Sequence, residues 1–272
     1  MSCEDQWLYF SEKICQDSSL TGGKGSSLGK LTELSKDFQN FIVPNGVVIT
    51  TVAYNLCLQE KVMKLISRLK KVLSKTKIEE TKEADQRVMD ETQQCFFRSS
   101  STGEDTEQMS AAGQMDTYLG VSLDEIIHAI KKCWASQFSY IAVQYKRQNG
   151  QEINSPMAVV VQEMVSCDVA GVLFTCDPLT GNPTSMIITA NYGLGESVVS
   201  GSEEPDTIEI QRQEDGTLDI KNTIIGSKSH RIILKDEGGT VVEEVSDHKK
   251  QVCCLSDTMA LRLAQLAVKV SP

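Results

Sequence analysis

The chain has 272 residues, with 27 Lys+Arg against 37 Asp+Glu and a formal net charge of −10. A surface this acidic repels phosphate backbones and anionic headgroups, so general nucleic-acid or membrane-surface binding is excluded, although a few local cations in a pocket can still hold a nucleotide. Hydrophobic residues at 40% suffice for a core, and nine cysteines, scattered except for Cys253-Cys254, show no zinc-ligand spacing.

The N-terminus carries no leader-like pattern, and no stretch reaches the ~20 apolar residues of a membrane span. A cytoplasmic chain with reduced cysteines is the expectation. Residues 7–10 read as a short strand. Residues 21–31 read as a glycine-rich turn opening into a short helix, with Ser26 or Ser27 as its N-cap. Pro44-Asn45-Gly46 is a turn, and Val47-Val48-Ile49-Thr50 a buried strand. Residues 51–94 are helical in character, with Val62, Leu65, Ile66 and Leu69 on one face and a solvated charged run over 75–87. Cys95-Phe96-Phe97-Arg98 reads as a strand, and residues 102–114 as a flexible lid of small residues. A second helix is expected over 123–148. Strands follow at 158–161, 172–175 and 186–190, and a tight turn at 192–196. A hairpin turns at Asp215-Gly216, and a last helix spans 258–270. Strands and helices without regular alternation predict an α+β fold.

Two places suggest chemistry. A glycine-rich helix entry presents N–H groups and the positive end of the helix dipole to an anion, and Lys24 adds a full charge. The alternative is a plain helix start with a solvated lysine. The order of a Walker A loop is absent, and Gly193 to Ser197 make no dinucleotide fingerprint. Arg98, ending an aromatic strand and followed by three serines and a threonine, offers a bidentate fork beside several hydroxyls, which suits a polyphosphate. Its alternative is a salt bridge to Glu104 or Asp105.

Seven motifs then recur in one order. They are Gly22-Gly23-Lys24-Gly25-Ser26-Ser27-Leu28-Gly29; Val43-Pro44-Asn45-Gly46-Val47-Val48-Ile49-Thr50; Arg98-Ser99-Ser100 with Glu104-Asp105; and Gly113-Gln114 with Asp116-Thr117-Tyr118-Leu119. The remainder are Val159-Val160-Val161-Gln162 with Met164-Val165; Gly171 to Thr175 with Asp177-Pro178; and Tyr192 to Glu196 with Val199-Ser200-Gly201. Together they resemble the ATP-binding domain shared by phosphoenolpyruvate synthases, pyruvate phosphate dikinases and rifampin phosphotransferases.

The resemblance implies an ATP-grasp-like, two-lobed nucleotide-binding domain with mixed or antiparallel sheets. Residues 1–272 would form one module, about 1–120 as the first lobe and about 121–272 as the remainder. It implies that Lys24 and Arg98 hold the ATP phosphates and serve catalysis, that Gly113 and Thr117 approach them from the lid, and that Gln162 lines the base cleft near Met164. ATP would pass its β-phosphoryl to a histidine on a separate phosphohistidine domain, and from there to pyruvate or another acceptor on a third domain. Those domains would lie on a longer chain or a partner. His128, His230 and His248 match no phosphocarrier motif and are expected to be structural or solvated. Mg²⁺ is implied as well, its ligands on strands beyond Pro272, so the module is expected to be truncated and, alone, inactive or partial. Two further departures are a short segment between Tyr54 and Arg98, and a lid with Ala111 and Glu107 in place of phenylalanine and proline. A non-catalytic module that keeps the scaffold is the alternative reading.

Overall fold

The computed structural model describes residues 6–38, 40–58, 95–101, 105–106, 109–110, 117–152 and 155–270. Every strand ladder among them is antiparallel, and the strands are interspersed with helices, so the fold is α+β. The chain divides into two compact units. The first comprises Met1–Met164 with Asp236–Gly239, and the second Val165–Lys235 with Thr240–Pro272.

The first unit is built on a five-stranded sheet. Its strands are β1 (Trp7–Tyr9), β2 (Gly46–Ile49), β3 (Cys95–Ser101), β6 (Thr117–Val121) and β7 (Met157–Glu163), in the order β1-β2-β7-β3-β6. Two short strands, β4 (Asp105–Thr106) and β5 (Met109–Ser110), pair with each other within the expected lid. Because side chains alternate between sheet faces, β7 feeds two cores. Met157, Val159 and Val161 join Val47, Ile49, Phe97, Ile130 and Trp134 on one side. Ala158 and Val160 join Leu8, Val48 and Cys15 on the other. Helices α2 (Thr51–Leu58) and α3 (Ile126–Ser136) pack on the first face, and α1 (Ser18–Phe38) on the second.

The single helix expected over 123–148 is corrected to two, α3 and α4 (Tyr140–Gln148). Ser139 is extended and its side chain accepts a hydrogen bond from the Ala142 N–H, so a new N-cap interrupts the helix. Of the helix expected over 51–94, Thr51–Leu58 is helical, and the rest lies outside the described residues.

The second unit holds a four-stranded sheet in the order β11-β10-β9-β8, made of β8 (Val169–Phe174), β9 (Ser185–Tyr192), β10 (Asp206–Arg212) and β11 (Leu218–Ile224). Gly216 takes a left-handed φ of 85° at the turn between β10 and β11, as its Asp-Gly sequence predicts. A separate hairpin, β12 (His230–Leu234) with β13 (Thr240–Glu244), is not among the elements that the sequence predicts, although Gly238-Gly239 marks its turn. Short helices α5 (Glu196–Val199) and α6 (Asp247–Lys250) precede α7 (Asp257–Val270), whose Ala260 and Ala264 pack against Met186, Ile188, Ile208 and Ile210.

Candidate active site

The site begins where α1 does. The Asp17 carboxylate accepts hydrogen bonds from the Ser19 N–H at 2.9 Å and the Ser19 hydroxyl at 2.7 Å, which caps the first turn. Those two bonds, the hydroxyl's foremost, hold the Asp17 carboxyl below the usual carboxylate range. At Gly22 the chain leaves helical geometry for one residue, with φ 69° and ψ 177°, and re-enters at once. Lys24 therefore stands in the first turn of a second helix start, and Ser26 and Ser27 lie inside the helix. The expected N-cap is thus corrected: Asp17 caps the first start, and a strand residue caps the second.

That residue is Ser100. Its hydroxyl donates to the Thr21 carbonyl at 2.7 Å and accepts from the Gly25 N–H at 3.1 Å. Thr21 is locked in turn, its hydroxyl 2.8 Å from both the Cys15 and Asp17 carbonyls. Glycines make this approach possible. A Cβ on Gly22 would lie 2.3 Å from the Ser100 carbonyl oxygen, and one on Gly25 would lie 3.2 Å from a methyl of Val48. Burial pushes the Cys15 thiol up to about 11, with Glu12 adding to the shift, so this cysteine is a packing residue.

The sheet register then relates this helix start to Arg98. Leu8 pairs with Val48, Val48 with Val160, Val160 with Arg98, and Arg98 with Thr117, giving one row across all five strands. Residues directly opposite each other share a face. The row is apolar and buried at Val48 and Val160, where α1 covers it, and ends in exposed Arg98 and Thr117. Ser100 lies two residues along from Arg98 and thus on the same face, as does Gln162, two residues along from Val160. Lys24, half-buried, is carried on the helix that covers this face. Ser99, by alternation, belongs to the opposite face, so the run of hydroxyls after Arg98 is split between the two sides of the sheet.

Gln162 is half-buried, and its amide donates to the Pro44 carbonyl at 2.9 Å while the Glu163 N–H donates to the Asn45 carbonyl at 2.9 Å. The Pro44-Asn45-Gly46 turn is thereby tied to the end of β7. Gly113 and most of the expected lid lie outside the described residues, as does Glu104, one alternative partner of Arg98; the side chain of Asp105 is not described either. The sequence singles out Lys24, Arg98, Thr117 and Gln162, whereas Ser100 figures in it only among the hydroxyls after Arg98 and Thr21 only as the opening of the glycine-rich turn, and neither is marked as a cap until the register is known.

Residues 78–272 match the family described as "Pyruvate phosphate dikinase, AMP/ATP-binding domain". The chain belongs to this AMP/ATP-binding domain family. The matched span includes Arg98, Gly113, Thr117 and Gln162, and Lys24 precedes it. Pairwise similarity reaches further. The chain is 33% identical over 280 aligned residues to "Rifampicin phosphotransferase" of Bacillus subtilis, covering 93% of this chain and 31% of that protein. It is 31% identical over 293 residues to "Probable phosphoenolpyruvate synthase" of Methanothermobacter thermautotrophicus, covering 96% of this chain and 41% of that protein. With "Phosphoenolpyruvate synthase" of Pyrococcus furiosus it shares 29% identity over 333 residues, covering 96% and 40%. The chain therefore spans well under half the length of each of these relatives.

The three histidines are exposed. The Nδ1 of His230 lies 2.9 Å from a Glu203 carboxylate oxygen. Among the described residues no helix is long and apolar enough to cross a membrane.

Proposed function

We propose that this chain is the ATP-binding, ATP-grasp-like module of a dikinase-type phosphotransferase, with residues 1–272 forming one nucleotide-binding unit of the reaction. Lys24 and Arg98 hold the triphosphate, Thr117 and Gly113 contact it from the lid side, and Gln162 lines the base cleft. What supports this is the row Leu8–Val48–Val160–Arg98–Thr117, together with the helix start at Gly22 on the same face. An arginine fork, a lysine and the positive end of a helix are three independent attractions for one polyphosphate.

Phosphoryl transfer spreads negative charge over the moving group and its neighbours, so the protein's contribution is positioning and electrostatic stabilisation. In this reading a histidine on a separate domain takes the β-phosphoryl, AMP leaves as the bond to the α-phosphorus breaks, water takes the γ-phosphoryl as inorganic phosphate, and the histidine then passes its phosphoryl to pyruvate or another acceptor; the histidine and acceptor domains belong to a longer chain or a partner. Mg²⁺ would accompany the triphosphate as the counter-ion that shields its charge. Among the described residues no three His, Cys, Asp or Glu gather in a way that could hold a metal.

Thermal unfolding with ATP and Mg²⁺ tests the reading. At a hundredfold excess over Kd, ATP is expected to stabilise the wild type by about 2.7 kcal/mol. Lys24→Ala and Arg98→Ala should each lose most of that shift, measured against each variant's own stability without nucleotide. A wild type with no shift at millimolar ATP would refute the reading for this chain.

A further inference from the structure

Ser100 makes an unusual set of contacts for a strand residue. It is fully buried, and its side chain reaches the backbone on both sides of the Gly22 kink: Thr21 before it and Gly25 after it. Its own carbonyl oxygen occupies the space that a Gly22 side chain would need. A hydroxyl has a single proton, and here that proton is committed to the Thr21 carbonyl while a lone pair receives the Gly25 N–H. Both contacts bracket Lys24. On the same strand, two residues away and roughly 6–7 Å along it, stands Arg98. One rigid extended segment therefore carries both the exposed cation and the clamp on the helix start that bears the other cation.

We propose that Ser100 is a positioning residue for the triphosphate site: through its hydroxyl it fixes the second helix start, and with it Lys24, in register with Arg98. This rests on the nucleotide reading above and adds the element that holds its two cations together. Helix starts are usually capped from the preceding few residues, which leaves them free to move with their own loop. Capping by a residue 75 positions away in sequence ties the helix start to the sheet instead. Removing the hydroxyl leaves the Thr21 carbonyl and the Gly25 N–H without that partner in a water-excluded spot, so the first turn has reason to shift.

The test uses the full chain as wild type, Ser100→Ala, Ser100→Cys and Ser136→Ala. Ser136 is a second buried serine, whose hydroxyl donates to the Cys133 carbonyl within α3, against the opposite sheet face. ATP affinity is measured by calorimetric titration, and amide exchange without nucleotide by NMR. Loss of two buried hydrogen bonds at the clamp is expected to weaken ATP by about tenfold in Ser100→Ala. Ser100→Cys, which keeps the side chain and a weak donor, should fall between, and Ser136→Ala should stay within about twofold of wild type. The Lys24 and Gly25 amides should exchange faster in Ser100→Ala, and those of β7 should not.

Wild-type affinity in Ser100→Ala, or an equal loss in Ser136→Ala, would overturn the positioning role. So would unchanged exchange at Lys24 and Gly25. Should Ser100→Ala fail to fold, Ser100→Cys carries both measurements. A wild type that binds no ATP refutes the nucleotide reading instead, and the exchange rates then judge the clamp by themselves.

Discussion

Gly22 has neither the space nor the backbone angles for a side chain: φ is +69°, and a Cβ would fall 2.3 Å from the Ser100 carbonyl oxygen. Gly22→Ala must either flatten the kink or push α1 off β3, and both displace Lys24. A residue forced into a sparsely populated conformation costs about 1–3 kcal/mol, and the overlap with Ser100 adds to that. The urea midpoint should drop accordingly, and any thermal shift by ATP should shrink with it; an unchanged midpoint would mean that the kink is not needed. Glycine at this position was legible as a turn signal, but its partner was not. Arg98 drew notice through its place after an aromatic strand, and Lys24 through the glycines around it. Ser100 is legible only as one of several hydroxyls after Arg98, because a capping role 75 residues distant leaves no local pattern.

At the level of elements, the register matters more than any single contact. Strands β2, β3 and β7 were legible from short apolar runs. Their order was not, since hydrophobic alternation tells which residues face inward but not which strand lies alongside. At both the break between α3 and α4 and the kink within α1 a serine hydroxyl caps the turn that follows, Ser139 from within the break and Ser100 from β3.

A third junction lies in the second unit, where Asp206 opens β10. It accepts hydrogen bonds from the Gly226 N–H at 2.9 Å, the Cys254 N–H at 2.7 Å and the Lys228 ammonium, and both charged side chains are fully buried. Lys228 also donates to the Gly226 and Lys250 carbonyls, so β10, the segment before β12, α6 and the approach to α7 meet at one ion pair. Burial alone would raise the Asp206 carboxyl, but the bonds from Lys228, Cys254 and Gly226 outweigh it and hold it below the usual carboxylate range.

A folded pKa below the unfolded one means that this contribution is complete above the unfolded value, near 3.9, and is lost as pH falls through the folded value. The second unit should therefore lose stability in acid below about pH 4, by a step that Asp206→Asn lacks. Chemical denaturation across pH 2–5, followed for wild type and variant, measures that difference. Asp206→Ala should cost about 3–5 kcal/mol at neutral pH, because it strands a buried ammonium. A cost below about 1 kcal/mol would show that Lys228 finds water or another partner.

For the molecule as a whole, acidity, scattered cysteines and an α+β pattern gave a consistent picture. The described cysteines are free thiols: Cys15, Cys95 and Cys133 are buried and Cys176 is exposed. Alkylation of the native protein near pH 8 should label Cys176 first among them, and Cys15, its thiol pushed up to about 11, only after denaturant is added. Mass mapping of the labelled peptides checks this, and early labelling of Cys15 would contradict the packing around α1.

Sequence alone determined the class of fold and the family, because ordered motifs and apolar periodicity are local properties that a linear reading can see. It also nominated Lys24, Arg98, Thr117 and Gln162. Only the tertiary structure decided that β7 lies between β2 and β3, that one row of side chains runs from Leu8 to Thr117, and that Ser100 caps a helix far from it in the chain. Strand order and distant caps depend on which surfaces meet once apolar faces are buried, and that choice is made by packing between segments that carry no record of one another in their own sequence.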